Sequence, residues 1–163
     1  MTGNADFTRL TRRLDYPMFV VTVREGEERD GCLIGFATQC SIHPPRFLAC
    51  LSVKNRTWRI ARDARSLAVH LLRADQAALA RLFGGETGDD VDKFAHCAWH
   101  DGPDGLPILD ECDAWFEGIV LVRYELGDHV GFLLEPAVAH DGGNERPPLF
   151  FSQIKSLDPG HPA

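Results

Sequence analysis

The sequence predicts a mainly β fold, an antiparallel barrel of six to seven strands, closed or split, with a few short helices inserted. Three observations predict it. Apolar or β-branched runs of strand length recur along the chain. They do not alternate regularly with helical patterns, which argues against a parallel doubly wound sheet. Two long runs, Trp115 to Leu126 and His129 to Ala139, flank the tight-turn pair Gly127-Asp128 and read as an antiparallel hairpin.

The elements follow in order. Phe7, Leu10 and Leu14 recur at helical spacing with Arg9, Arg12 and Arg13 off that face, so residues 5–14 read as an amphipathic helix that ends before Pro17. Met18 to Val23 is continuously apolar and reads as a buried strand. The charged stretch Glu25 to Asp30 reads as a turn, and Gly31 to about Thr38 as the second strand. Pro44-Pro45 lacks amide donors and cannot sit in a central ladder, so it marks a turn before a third strand, Phe47 to Val53. Ile60, Ala61 and Ala64 form a helical stripe over Thr57 to Ala64. Leu67 to Leu72 is a strand, and Gln76 to Phe83 a helix stopped by Gly84-Gly85. Residues 84–113, rich in Gly, Asp and Pro, read as a long excursion with one helical turn near Val91 to Phe94. Connections of that length usually do something. In the hairpin, Phe116, Val120, Val122 and Tyr124 share one face, while Glu117, Arg123 and Glu125 lie off it. Leu149 to Phe151 reads as a last short strand. The expectation is one domain over 1–163, with its core at about 16–151 and a disordered tail at about 156–163.

Composition narrows the function. The 163 residues are 44% hydrophobic and 25% charged, ordinary values for a globular domain. A net charge of −7 argues against a nucleic acid or an anionic membrane surface as partner. No apolar run reaches the length of a membrane span. The N-terminal stretch MTGNADFTRLTRRLDYP has no signal-peptide core, and five cysteines without paired spacing fit free thiols. The expected location is the cytoplasm.

Against this acidic background one cluster stands out. Lys54, Asn55, Arg56 and Thr57 bring two cations and two neutral donors to the expected start of a helix, chemistry that suits a phosphate. Taken alone, the four residues fit an ordinary N-cap with solvated cations better than they fit a phosphate site. In Gly127-Asp128-His129, a histidine follows a turn with a carboxylate able to orient it, or is simply exposed in a hairpin turn. His96, Cys97 and His100 have metal-ligand spacing but no second matching pair, so no metal site is assigned. Walker, G-x-S-x-G and G-x-G-x-x-G motifs are absent from the sequence.

The blocks together are similar to the flavin reductase-like family of FMN-binding split barrels. The resemblance covers Tyr16 to Phe151 and rests on blocks in the family's order. A glycine-led second strand runs into the Pro-Pro turn (Gly31 to Pro45), followed by SVKNRT (Ser52 to Thr57) and SLAVHLL (Ser66 to Leu72). LARLFGG (Leu79 to Gly85), DKFAHCAW (Asp92 to Trp99), GLPILD (Gly105 to Asp110) and GDHVGF (Gly127 to Phe132) complete the series. Two positions depart from the common pattern: Leu33-Ile34-Gly35-Phe36-Ala37 has few side-chain donors, and His70 stands where many relatives have asparagine.

The resemblance implies an antiparallel split β-barrel, a homodimer, and FMN bound near the subunit interface, with FAD or a deazaflavin as alternatives. It implies hydride transfer from NADH or NADPH to flavin, with reduced flavin supplied to a partner monooxygenase. A bound-flavin protein with its own substrate and a non-catalytic flavin module are the other readings. The implied cofactor residues are Gly35, Phe36 and Ala37 along the ring. Thr38, Gln39, Cys40, Ser41, Ser52, Lys54, Asn55, Arg56 and Thr57 would surround the phosphate. Phe83 and Phe94 would wall the pocket, with the 84–113 excursion as lid or interface element. His129 is the implied catalytic residue beside the docking nicotinamide.

Overall fold

The computed structural model describes residues 2–160. Among the described residues nine strands and three α-helices follow one another. They are α1 (Thr2–Thr11), β1 (Phe19–Glu25), β2 (Glu28–Ile34), β3 (Ala37–Ser41), β4 (Arg46–Ser52) and α2 (Arg56–Ala61). Then come β5 (Ser66–Leu71), α3 (Ala77–Gly85), β6 (Trp99–Asp101), β7 (Pro107–Leu109), β8 (Ala114–Glu125) and β9 (His129–Asp141). Seven strands form one antiparallel sheet in the order β2-β1-β5-β8-β9-β4-β3, and β6 pairs with β7 alone.

The edges of that sheet, β2 and β3, are separated by only Gly35 and Phe36. Each residue spans at most about 3.6 Å, so the sheet has to curl until its two edges nearly meet. This is the expected barrel, split at the seam where the chain leaves β2 and enters β3. The single strand expected from Gly31 to Thr38 is therefore two strands with a kink between them. A Cβ at Gly35 would lie 2.2 Å from Tyr16 Cε2, so any side chain at the kink would displace the Tyr16 ring.

Two apolar layers explain the sequence pattern. Phe19, Val21 and Val23 of β1 face the barrel interior with Leu51, Leu67, Phe132 and Leu134, and α2 plugs one end through Ile60 and Ala61. Met18 and Val20 face outward into a second cluster, beneath Leu79, Ala80 and Phe83 of α3. Burial on both faces is why the first strand reads as a continuous apolar run.

Several local expectations change. The charged turn is only Gly26-Glu27, and Glu28–Asp30 already belong to β2. α3 runs through Gly84-Gly85, with Glu86 as its extended C-cap. The stripe Phe7, Leu10 and Leu14 is exposed rather than packed on its own chain. The excursion is structured: a 3₁₀ turn at Lys93–His96 and the β6–β7 hairpin bury Phe94, Leu106, Ile108 and Leu109 on the outer face of the sheet. Leu149 to Phe151 is not a strand. Isolated bridges tie Pro17 to Phe150 and Arg73 to Pro148, and a 3₁₀ turn follows at Phe151–Gln153. The expected disordered tail is packed as far as it is described: Leu157 joins the outer cluster and the Gly160 amide donates to the Gly84 carbonyl at 3.1 Å. Residues 161–163 of that tail lie outside the described residues.

Candidate functional site

β4 and β9 pair so that Ser52 stands opposite His129. This one register brings together the two candidate motifs, which are more than seventy residues apart. The Val53 amide donates to the Asp128 carbonyl at 3.0 Å, which joins the turn after β4 to the turn after β8. Gly127 makes the second turn at φ +128°, a conformation other residues rarely adopt. His129 Nδ1 lies 2.7 Å from Asp128 Oδ1. An ionised carboxylate only accepts, so Nδ1 carries the proton and Nε2 is left as the acceptor of the neutral ring. The same hydrogen bond holds the Asp128 carboxyl below its usual range. Asn55 is the N-cap of α2, its Oδ1 accepting from the Thr57 amide at 3.2 Å.

Beside these turns opens a cleft of about 440 Å³. Gly35, Phe36, Ser52, Asn55 and His129 line it, five of the residues expected from the sequence. The Phe36 and His129 rings are 5.2 Å apart, and Phe36 meets Tyr16 edge-on at 6.0 Å. Tyr16 in turn stacks on Phe151 at 5.0 Å. A row of four rings thus runs from the hairpin turn to the C-terminal segment.

Other expected residues lie elsewhere. Thr57 is buried with Oγ1 donating to Asp30 Oδ2 at 3.1 Å. Arg56 donates to the Arg29 carbonyl at 3.0 Å and lies 3.8 Å from Asp30. Both tie α2 to β2 and are absent from the cleft lining. Lys54 and Ala37 are not in the lining either, and Thr38, Gln39 and Cys40 are exposed on β3, with Ser41 at its end. Phe83 and Phe94 pack on each other at 5.7 Å within the outer cluster, so they are core residues and do not wall the cleft. Of the excursion's residues Gly84 lines the cleft, and Phe94, Leu106, Ile108 and Leu109 are buried on the barrel's outer face. His70 is fully buried: Nδ1 donates to the Val20 carbonyl at 3.0 Å and Nε2 accepts from the Leu109 amide at 3.1 Å. His100 Nδ1 bonds Asp110 at 2.5 Å, and among the described residues no three ligand-type side chains form a metal-holding group.

Tyr16, Phe151, Ile154, Lys155 and Leu157 line the cleft without having been expected there. A signal for the last group exists, since Phe151, Ile154 and Leu157 recur at every third position just after the residues read as a strand.

The fold and cleft define a ligand-binding antiparallel barrel. A family model described as a flavin reductase like domain matches residues 11–157. The chain belongs to that family. It is 33% identical over 114 residues to a probable flavin reductase of Rhizobium meliloti, covering 68% of this chain and 36% of that longer protein. It is 28% identical over 129 residues to the FMN reductase (NADH) RutF of Klebsiella pneumoniae, covering 79% and 78% of the two chains. The solved structure of the NADH:FAD oxidoreductase SgcE6 of Streptomyces globisporus superposes with a TM-score of 0.82 at 28% identity, covering 93% and 90%.

Proposed function

We propose that this protein is an FMN-binding NAD(P)H:flavin oxidoreductase, which passes a hydride from NADH or NADPH to flavin. The observation that carries the reading is the meeting, in one 440 Å³ cleft, of Gly35-Phe36, the Ser52–Asn55 turn and an Asp128-oriented His129. The cleft fits a flavin on the chain's own features. Its volume lies in the range of small-molecule sites, its walls are mainly apolar and aromatic, and a few polar groups converge at one end. Gly35 leaves backbone bare where any side chain would collide with Tyr16.

Bound flavin supplies the hydride-accepting chemistry. The chain supplies the rest. Phe36 and Tyr16 offer flat apolar surface, and Ser52 and Asn55 offer donors. His129, fixed by Asp128, presents Nε2 as an acceptor for a nicotinamide amide. No acid–base pair is required, and none is proposed. The Leu33–Ala37 segment lacks side-chain donors, which favours a flavin that exchanges and serves a partner monooxygenase over one held permanently. Thr38–Ser41, exposed on the β3 edge, are proposed to reach the site of a second copy in a homodimer. Among the described residues no helix is long and apolar enough to cross a membrane, and the proposed setting is the cytoplasm.

The test is NADH oxidation by purified protein with FMN, FAD or neither. Oxidation that depends on added FMN is expected, with His129→Ala raising KM for NADH about tenfold or more. Flavin addition that changes neither the absorbance spectrum nor the melting temperature would reject the reading.

A further inference from the structure

We infer that Lys155, an exposed residue lining the cleft on a latched C-terminal strap, is the cation that binds the phosphate of the cleft's ligand. The inference rests on the flavin reading above and goes beyond it, because no motif in the sequence points to this residue.

The strap is built. The Phe151 amide donates to the Tyr16 carbonyl at 2.9 Å, and the two rings stack with only 18° between their planes. Ser152 then closes on Asp15 twice: its amide donates to Oδ1 at 2.9 Å and its hydroxyl to Oδ2 at 2.7 Å. Those hydrogen bonds, with a smaller contribution from the Lys155 charge, keep the Asp15 carboxyl below its usual range. Ile154 is buried, Leu157 packs on the outer cluster, and the Gly160 amide reaches the Gly84 carbonyl. Lys155 therefore sits mid-span on a segment fixed on both sides, and it lines the cleft.

Charge makes the assignment. Among the described residues lining the cleft, Lys155 alone carries a permanent charge, and Tyr16, Cys50, Ser52, Asn55 and His129 bring the other polar side chains. Arg56, the natural candidate from the sequence, is engaged at the Arg29 carbonyl beside Asp30. A phosphate monoester brings between one and two negative charges, and mainly apolar walls cannot compensate them. A charge-assisted bond from an ammonium can. A lysine suits the position because its four-carbon stem lets a point charge follow the ligand from a fixed backbone.

Two sources carry this chemistry, the 5′-phosphate of FMN and the pyrophosphate of the nicotinamide dinucleotide. The experiment compares wild type, Lys155→Gln and Lys155→Arg, with the dissociation constants of FMN and riboflavin read by fluorescence quenching and KM and kcat read for NADH. A flavin phosphate contact predicts FMN weakened about 10- to 100-fold in Lys155→Gln, riboflavin changed by less than about twofold, and Lys155→Arg near wild type. A dinucleotide contact predicts both flavin constants unchanged and KM for NADH raised about tenfold at constant kcat. Either result supports a phosphate-binding Lys155 and names its source. Equal losses for FMN and riboflavin, or no change in any constant, would overturn it. Wild-type protein that binds neither flavin overturns the flavin reading as well. Wild type that binds FMN, with Lys155→Gln indistinguishable from it, overturns the lysine assignment alone.

Discussion

His70 shows how a single residue changes meaning once its surroundings are known. In the sequence it replaces a family asparagine in a strand, and it stands as either a flavin contact or a core residue. Both ring nitrogens are used inside the protein, one on Val20 and one on Leu109, so it joins β5 to β1 and to the β6–β7 hairpin. Burial, its largest influence, pushes its pKa down from 6.5 to about 4. A base that is neutral in the folded state and protonated in the unfolded chain gives a definite pH dependence. Between about pH 6.5 and 4 the unfolded chain binds the extra proton, so stability rises with pH across that window and falls as pH drops through it. At 1.36 kcal/mol per unit the loss from this residue is roughly 3 kcal/mol. The expected outcome in urea titrations at pH 7.5 and 4.5 is a clear drop for wild type and a much smaller one for His70→Gln. That variant starts less stable, because its amide cannot reproduce both bonds. Equal drops in the two proteins would show that carboxylates, not this imidazole, set the acid limit.

At the scale of elements, the instructive case is the edge of β2. An edge strand leaves carbonyls without strand partners, and here two cations supply the donors. Arg56 of α2 reaches the Arg29 carbonyl, and Lys93 from the excursion reaches the Gly31 carbonyl at 2.6 Å. Asp30 lies between them, 3.8 Å from each cation and accepting from Thr57. The cluster fastens α2, β2 and the excursion to one another, and the Lys93 and Asp30 side chains are almost wholly buried. Breaking a buried pair by removing one partner costs up to about 3–5 kcal/mol, and here Asp30 keeps Arg56 and Thr57 when Lys93 is lost, so the low end of that range is expected. Lys93→Met should therefore destabilise strongly, while adding Asp30→Asn should cost less than the two single changes together. A double-mutant cycle by urea unfolding measures this, and strictly additive losses would contradict the coupling. This cluster also marks where the sequence stops being legible. Strand positions and the β8–β9 hairpin could be read because apolar periodicity is local. The contacts of Arg56 and Thr57 are not legible, because nothing near them in the chain reveals Asp30, which sits across a tertiary contact. The packing of Phe83 and Phe94 in the outer cluster is hidden for a like reason: an aromatic side chain carries no local sign of which of two apolar layers it joins. Ser52 and His129 were individually visible, but their meeting depends on β4 pairing with β9.

For the whole molecule, the open question is what completes the site. One chain supplies a ring-lined cleft and its polar end, yet Thr38 to Ser41 remain on the free edge of β3 and do not reach it. On β8, three places from β3 in the sheet order, and at the start of the following turn, Leu121, Val122, Tyr124 and Leu126 are exposed, and Phe36 and Ile42 flank β3 in the same state. Exposed apolar residues clustered in this way mark interaction surfaces more often than they occur by chance on a monomer. A homodimer that buries them would bring a second copy's β3 edge to the cleft, which reconciles the sequence expectation with the single-chain geometry. In light scattering after size exclusion, the protein should have about twice the 18.1 kDa chain mass. Val122→Glu combined with Tyr124→Glu should give folded monomer, since both positions are solvent-exposed in one chain and their replacement removes no core contact. FMN affinity should fall about tenfold or more in that monomer, by loss of several polar contacts at about 1 kcal/mol each. Monomer that binds FMN as tightly as the dimer would mean that one chain's cleft is sufficient, and that Thr38 to Ser41 have no part in the site.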